Sequence, residues 1–210
     1  MNNQMQDAPL EYYRERIREL DPEEASKRTG ITFDPENGRF TLEVLGHTIF
    51  AKWPEFKLEP SDEKSCPKIL YGFSMHILTM RFLIEGAAAP ASGEFKAYRD
   101  LPWGELYDKN FQGRCIKRFA YGFGFSPEKF EKAAEALGGV RLEMGDISFD
   151  LPFFGGVICR LILWTPDDEF PPSAQFLFSD NTPVAFNAED LAAVGDVVIG
   201  ALKEMSAGRK

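Results

Sequence analysis

The chain has 210 residues, with 24 Lys+Arg against 33 Asp+Glu, a formal net charge of −9, and 44% apolar, 13% aromatic and 27% charged residues. Disordered chains are poor in aromatics, and this one carries 19 Phe, 6 Tyr and 3 Trp. An isoelectric point near 4.9 argues against a broad nucleic-acid footprint, which needs clustered Lys and Arg to displace counterions.

At about 100–200 residues per domain, the length fits one large domain or two small ones. The start, Met1 to Pro9, has no basic cluster followed by an apolar run, so no secretory signal is expected. A single α+β domain is expected over 9–205, with disordered tails at 1–8 and 206–210.

Leu10 to Leu20 places Tyr13, Ile17 and Leu20 at helical spacing. A second helix starts at Asp21-Pro22, with Asp21 as N-cap, and stops at Thr29-Gly30, where glycine suits a left-handed cap. Phe33 to Gly38 is turn chemistry. Phe40, Leu42 and Val44 alternate with polar residues, and Gly46-His47 turns the chain into Ile49 to Trp53, which predicts a β-hairpin. Pro54 to Pro67 is polar, holds three prolines and reads as a loop.

Ile69 to Ile84 is predicted as a long central helix with Ile69, Leu70, Phe73, Ile77, Met80, Leu83 and Ile84 on one stripe. Gly72, Ser74, His76, Thr79 and Arg81 interrupt it, and a bilayer span needs about 20 mostly apolar residues, so it reads as a core helix. Glu94 to Leu101 reads as a strand broken by Pro102-Trp103-Gly104. Phe111 to Phe125 has helical character, and Ser126-Pro127 opens a helix that ends at Gly138-Gly139. Strands follow at Ile147–Phe153, Val157–Trp164 and Ala174–Phe178. Asp180 to Pro183 is a turn, and Asn187 caps a last helix, Ala188 to Met205. Regular βαβ alternation is missing. The order predicts an α+β fold whose mainly antiparallel sheet, the hairpin plus three C-terminal strands, packs against several helices.

Four blocks carry a family resemblance. They are Asp21-Pro-Glu-Glu with Arg28-Thr-Gly30; Gly93-Glu-Phe95 leading to Tyr98-Arg-Asp-Leu-Pro102; Phe130 to Gly139 with Gly145-Asp146-Ile-Ser-Phe149; and Leu163-Trp164 with Asp167-Asp-Glu-Phe-Pro171, Leu177-Phe-Ser-Asp180 and Glu189-Asp-Leu191. In order and spacing, from about Tyr13 to Leu202, they resemble the prokaryotic family called domain of unknown function 3786. The resemblance implies a source among mostly anaerobic bacteria and archaea, and relatives of which some carry an added iron–sulfur segment. It implies no activity and no catalytic residue. The cysteines here, Cys66, Cys115 and Cys159, form no Cys-x-x-Cys pair, so the iron–sulfur role does not carry over. Their sparse, odd count suits a reduced cytoplasm and ordinary core thiols. Cys66, before Pro67, is the least implausible nucleophile, because a helix N-terminus lowers a thiol pKa.

His76 falls on the apolar side of the long helix. It is a tuned base or ligand on one reading and, preferably, a satisfied core histidine. His47, in the predicted hairpin turn, is expected to be exposed, and a two-histidine metal site is not expected. Asp167, Asp168 and Glu169 end a buried strand. They suit a cation or an acid–base pair less well than a solvated turn, and Asp146 and Asp180 join them only if the strand ends meet. Gly122-Phe-Gly124 lacks the rest of a phosphate loop and reads as a helix C-terminus. Arg99 and Asp100 with Lys96 suit an anion grip, although a salt-bridged surface turn is the simpler expectation. Trp103 belongs to an aromatic set, with Trp53, Tyr107, Phe111, Phe153 and Phe154, of which some can line an apolar cavity.

The absence of a catalytic signature puts first a non-catalytic cytoplasmic protein that binds a small ligand, a cofactor or a partner protein. Second comes an interaction subunit, in an anaerobic metabolic or iron–sulfur system if the resemblance is followed. Third comes an enzyme pairing His76 with Asp146, Asp167 or Asp180. No cofactor and no metal are assigned, and neither a nucleic acid nor a membrane is expected as partner.

Overall fold

A computed structural model describes residues 4–208. Helices α1 (Gln4–Arg18) and α2 (Pro22–Thr29) come first. The second forms as its ends dictate. Asp21 accepts hydrogen bonds from the N–H groups of Glu23 and Glu24, Pro22 sets the first turn, and Gly30 closes the helix at φ 70. Helix α1 begins before Leu10, so part of the tail expected over 1–8 is helical, and residues 1–3 and 209–210 lie outside the described residues.

Four strands then form one antiparallel sheet in sequence order: β1 (Thr32–Asp34), β2 (Arg39–Val44), β3 (His47–Lys52) and β4 (Lys57–Pro60). The predicted hairpin is β2–β3, turned by Leu45 and Gly46 at φ 48 and 71. Its inward row is Phe40, Leu42, Val44, Ile49 and Ala51. Strand β4 lies where a loop is expected. The prolines mask a short apolar anchor there, since Phe56 and Leu58 are both buried.

A single 3₁₀ turn (Lys68–Tyr71) precedes α3 (Phe73–Glu85). The helix expected from Ile69 is interrupted by Gly72, which is extended at φ −82 and ψ −176. Restarting after Gly72 rotates the buried face to Met75, Leu78, Met80, Phe82 and Leu83, and leaves Phe73 exposed. The free N–H groups of Lys68 and Ile69 donate to the Glu204 carboxylate, 135 residues away in sequence for Ile69. At the other end of α3, the Arg28 guanidinium donates to the carbonyls of Leu83 and Gly86.

The second sheet has the order β5-β9-β8-β7-β6 and is antiparallel throughout. Its strands are β5 (Phe95–Ala97), β6 (Val140–Leu142), β7 (Ile147–Pro152), β8 (Ile158–Trp164) and β9 (Ser173–Ser179). The three expected C-terminal strands form its centre, and two three-residue strands close its edges. Arg160 and Asp150 pair across β8 and β7 through two bonds of 2.7 and 2.8 Å, and the ring of Phe95 lies 3.5 Å from the Arg160 guanidinium carbon. The α+β class and the antiparallel pairing stand, but the hairpin and the C-terminal strands occupy separate sheets. They meet where the Leu45 N–H donates to Pro152 O at 2.9 Å.

The remaining helices are α4 (Gly104–Phe111), α5 (Arg118–Phe123), α6 (Pro127–Ala136), α7 (Thr182–Ala185) and α8 (Ala188–Ser206), with a π-helical stretch (Gln112–Lys117) joining α4 to α5. The 19-residue α8 takes the central place expected of Ile69–Ile84, for it packs on α3, α4, α5 and α6. Its glycines allow the approach: a Cβ at Gly195 would stand 2.8 Å from both Cys115 Sγ and the Phe111 ring. Residues of both sheets and of α1, α3, α6 and α8 share one apolar cluster. No described helix is long and apolar enough to cross a membrane.

Gly195→Val places methyl groups against Cys115 and Phe111, and is expected to cost about 1–3 kcal/mol. A lowered urea midpoint at unchanged slope checks this.

Candidate functional site

A groove of about 730 Å³ runs between the end of β5 and the first turn of α4, lined by Lys96, Arg99, Asp100, Leu101, Pro102, Trp103, Glu105, Leu106 and Pro183. It gathers Arg99, Asp100 and Trp103, three of the residues expected to bind, together with Lys96.

The groove is built on Tyr98. Strand β5 stops at Ala97, and Tyr98–Asp100 makes one 3₁₀ turn, where sequence alone suggests a continued strand. The cause is tertiary. The Tyr98 ring stacks on Phe111 at 4.2 Å with planes 4° apart, and its hydroxyl donates to Ala188 O at 2.8 Å. Burial pushes the phenol up to about 12, so it stays a donor at neutral pH. With Tyr98 pulled inward, Lys96 on one side and Arg99-Asp100 on the other remain at the surface.

Next, Leu101 is buried and Gly104 donates to Leu101 O at 2.9 Å. A Cβ at Gly104 would lie only 1.8 Å from Tyr98 O, so no other residue fits there. The tight wrap forces Trp103 into the left-handed region, at φ 66 and ψ 3. For a bulky residue this costs about 1–3 kcal/mol. The indole stays 75% exposed, Leu106 beside it is 73% exposed, and Tyr107 is half-exposed.

Four of the lining residues are charged, two of each sign. Among the described residues, no ion pair within 4.0 Å joins Lys96, Arg99, Asp100 or Glu105 to any partner. The salt-bridged turn expected at Arg99-Asp100 therefore does not form. Lys96 does act at longer range on Asp180, whose carboxyl is held low chiefly by hydrogen bonds from Ser92.

The other expected residues fall elsewhere. His76 is half-buried on α3. Its Nδ1 lies 2.9 Å from Gly72 O, and its Nε2 accepts the Leu58 N–H at 3.3 Å. With Nδ1 as donor, the ring ties α3 to β4, and burial lowers its pKa. It does not line the groove, and none of the three carboxylates expected as its partner contributes to its shift. His47 is the first residue of β3 and half-buried, where an exposed turn is expected.

Asp146 and Asp167 do come together around a hollow of about 420 Å³ with Trp164, Thr165, Phe170, Pro171 and Ser173. Asp146 ties the segment before β7 to the residue after β8, accepting from the Thr165 N–H and hydroxyl, which lowers its pKa, and Asp167 closes a local turn, accepting from the N–H groups of Glu169 and Phe170. Asp168 is exposed and lines no part of that hollow. Asp180 cannot join, because it follows the far end of β9 while Ser173 begins it. Among the described residues, no three His, Cys, Asp or Glu side chains converge as metal ligands. Cys66, Cys115 and Cys159 are all buried, and burial pushes the Cys115 thiol up to about 12 and raises Cys159 too, which makes both poor nucleophiles.

One group escaped the sequence reading. Pro183 also borders a smaller recess of about 190 Å³, lined among others by Arg81, Glu85, Asn187 and Asp190. The Asp190 side chain is 8% exposed and lies 3.1 Å from Arg81 Nε. Desolvation outweighs Arg81 and raises its carboxyl to about 6. In sequence Asp190 is one more acid in the first turn of a helix, and only the packing of α3 against α8 buries it.

Fold and groove thus define an α+β protein with a rigid, tryptophan-walled surface cleft. Its family follows from sequence: the family described as domain of unknown function (DUF3786) matches residues 21–201, and the chain belongs to it. No curated protein and no solved structure matches the chain.

Two measurements check this site. Gly104→Ala should unfold the Tyr98–Trp103 turn, lowering stability by about 3 kcal/mol and quenching dispersion of the Trp103 indole NMR signal. For Asp190, the folded state holds the proton more tightly than the unfolded chain. Its contribution is therefore fully present below the ordinary carboxyl value of 3.8 and is lost as pH rises to about 6. Asp190→Asn should gain on the wild type by up to about 3 kcal/mol between pH 4 and pH 7 in urea titrations, with no further gain above.

Proposed function

We propose that the chain is a non-catalytic binding protein that holds a small ligand in the cleft between Lys96 and Leu106. The observation that carries this reading is Trp103, kept in a left-handed backbone conformation with its indole 75% exposed on the wall of a cavity of about 730 Å³. Ligand sites are commonly about 300–1,000 Å³ and present apolar walls with a few polar groups. Here Leu101, Pro102, Trp103, Leu106 and Pro183 supply the wall, and four unpaired charges supply the polar groups. Strain held by a buried anchor is the ordinary mark of a pre-organised site, because rigidity lowers the ordering cost of binding.

Three buried cysteines fit a reducing cytoplasm, and the net charge of −9 disfavours a nucleic-acid partner. A second reading, an enzyme, is favoured by one observation only. It is not His76 but Asp190, a buried carboxyl raised to about 6 in a recess that shares Pro183 with the cleft.

The test follows the Trp103 indole resonance while small-metabolite mixtures are added, with Trp103→Phe to assign the signal. A saturable shift is expected, and Trp103→Ala should weaken binding about tenfold or more. Turnover of a bound metabolite, abolished by Asp190→Asn, would replace this reading with the enzymatic one.

A further inference from the structure

The four charges of the cleft say more about its ligand. Lys96 and Arg99 offer positive charge, Asp100 and Glu105 offer negative charge, and all four line the same cavity. Elsewhere in this chain some opposite charges meet: Arg16 meets Glu85 at 2.7 Å, Lys52 meets Glu59 at 2.7 Å, and Arg118 meets Asp196 at 3.1 Å. In the cleft, Arg99 and Asp100 share one 3₁₀ turn, Lys96 is on β5, and Glu105 is in the first turn of α4, and among the described residues no ion pair joins any two of them. Among the described residues, no hydrogen bond from another side chain reaches these four groups either.

A ligand of one sign would gain from two of these groups and be repelled by the other two. A ligand carrying both signs, turned one way, gains from all four. The same cavity is lined by Leu101, Pro102, Leu106 and Pro183 and by the exposed Trp103, whose indole can stack on a flat ring and attract a cation as well. Resting on the binding role proposed above, we infer that the ligand is a zwitterion with an aromatic or bulky apolar body, of the chemistry of a free apolar α-amino acid. Its carboxylate faces Lys96 and Arg99, its ammonium faces Asp100 and Glu105, and its side chain lies on Trp103 and Leu106. No covalent step is involved.

Three probes that share one ring separate the possibilities: L-phenylalanine, 3-phenylpropionate, which lacks the ammonium, and phenethylamine, which lacks the carboxylate. Each is titrated into the full chain to about 10 mM, the range in which weak single-site binding is still measurable, with the Trp103 indole resonance as readout. L-Phenylalanine should bind about tenfold tighter than either analogue, the usual worth of one charge-assisted contact. Arg99→Ala should remove its advantage over phenethylamine and leave that over 3-phenylpropionate. Glu105→Gln should do the reverse. All these positions are exposed, so neither variant endangers folding. If 3-phenylpropionate or phenethylamine binds as tightly as L-phenylalanine, the zwitterion is overturned while the cleft remains a binding site. If none of the three shifts the Trp103 signal, the zwitterion falls, while the binding role stands or falls with the metabolite titration described above.

Discussion

The stacked pair of Tyr98 and Phe111 is the contact on which the surface chemistry of this protein depends. Tyr98 directly follows an edge strand, Phe111 ends α4, and the Tyr98 hydroxyl reaches the first residue of α8. One side chain thereby joins a sheet edge to two helices. Because the ring must go inward, the backbone beside it must turn, and the turn leaves Lys96, Arg99 and Trp103 outside. The aromatic contact continues beneath, where Phe111 meets Phe176 and Phe178 of β9. Such ring pairs add to the burial of their area and set a preferred orientation, which is how the six residues Tyr98–Trp103 gain a fixed shape.

Polar groups inside the molecule act mainly as fasteners. His76 joins α3 to β4. Arg28 closes the end of α3, and Glu204 closes the turn before it. Asn181 donates to Ala89 O and Gly156 O and accepts from Ser179, pinning the connector after α3 to the second sheet. Buried polar atoms are tolerated when they are bonded, and these bonds cross between elements distant in sequence. Asp190 is the exception in cost, since its ion pair with Arg81 does not offset the loss of water. That imbalance makes it, among the described residues, the buried acid whose carboxyl is raised to about 6.

Much of the secondary structure was legible in the residues. Helix α2 announces itself by Asp21, Pro22 and Gly30, each acting on its immediate neighbours. Strands β2 and β3 show by alternation, β8 by its apolar run, and α8 by Asn187 and the spacing of Leu191, Val194, Val198 and Leu202. The short pieces were not legible. Strands β4 and β6 have four and three residues, too few for a period to show, while β5 falls inside a longer strand read over Glu94 to Leu101. The rotated face of α3 came from a single glycine whose extended backbone cannot be read from composition. Among the site residues, Trp103, Arg99 and Asp100 drew attention by type, whereas Glu105, Leu106 and Pro183 did not, because nothing local marks them as neighbours of a cavity.

From its sequence alone the chain is an acidic α+β protein of the DUF3786 family with three cysteines in no Cys-x-x-Cys pair and no catalytic motif, because those properties depend on composition, short-range capping and ordered blocks of residues. Tertiary structure decided that there are two sheets, that α8 lies at the centre, that His76 is bonded at both nitrogens, and that a cleft opens beside Trp103. Each of these rests on contacts between residues tens of positions apart, such as Tyr98 with Ala188, and the energy of such a contact is not a property of either residue's neighbours along the chain.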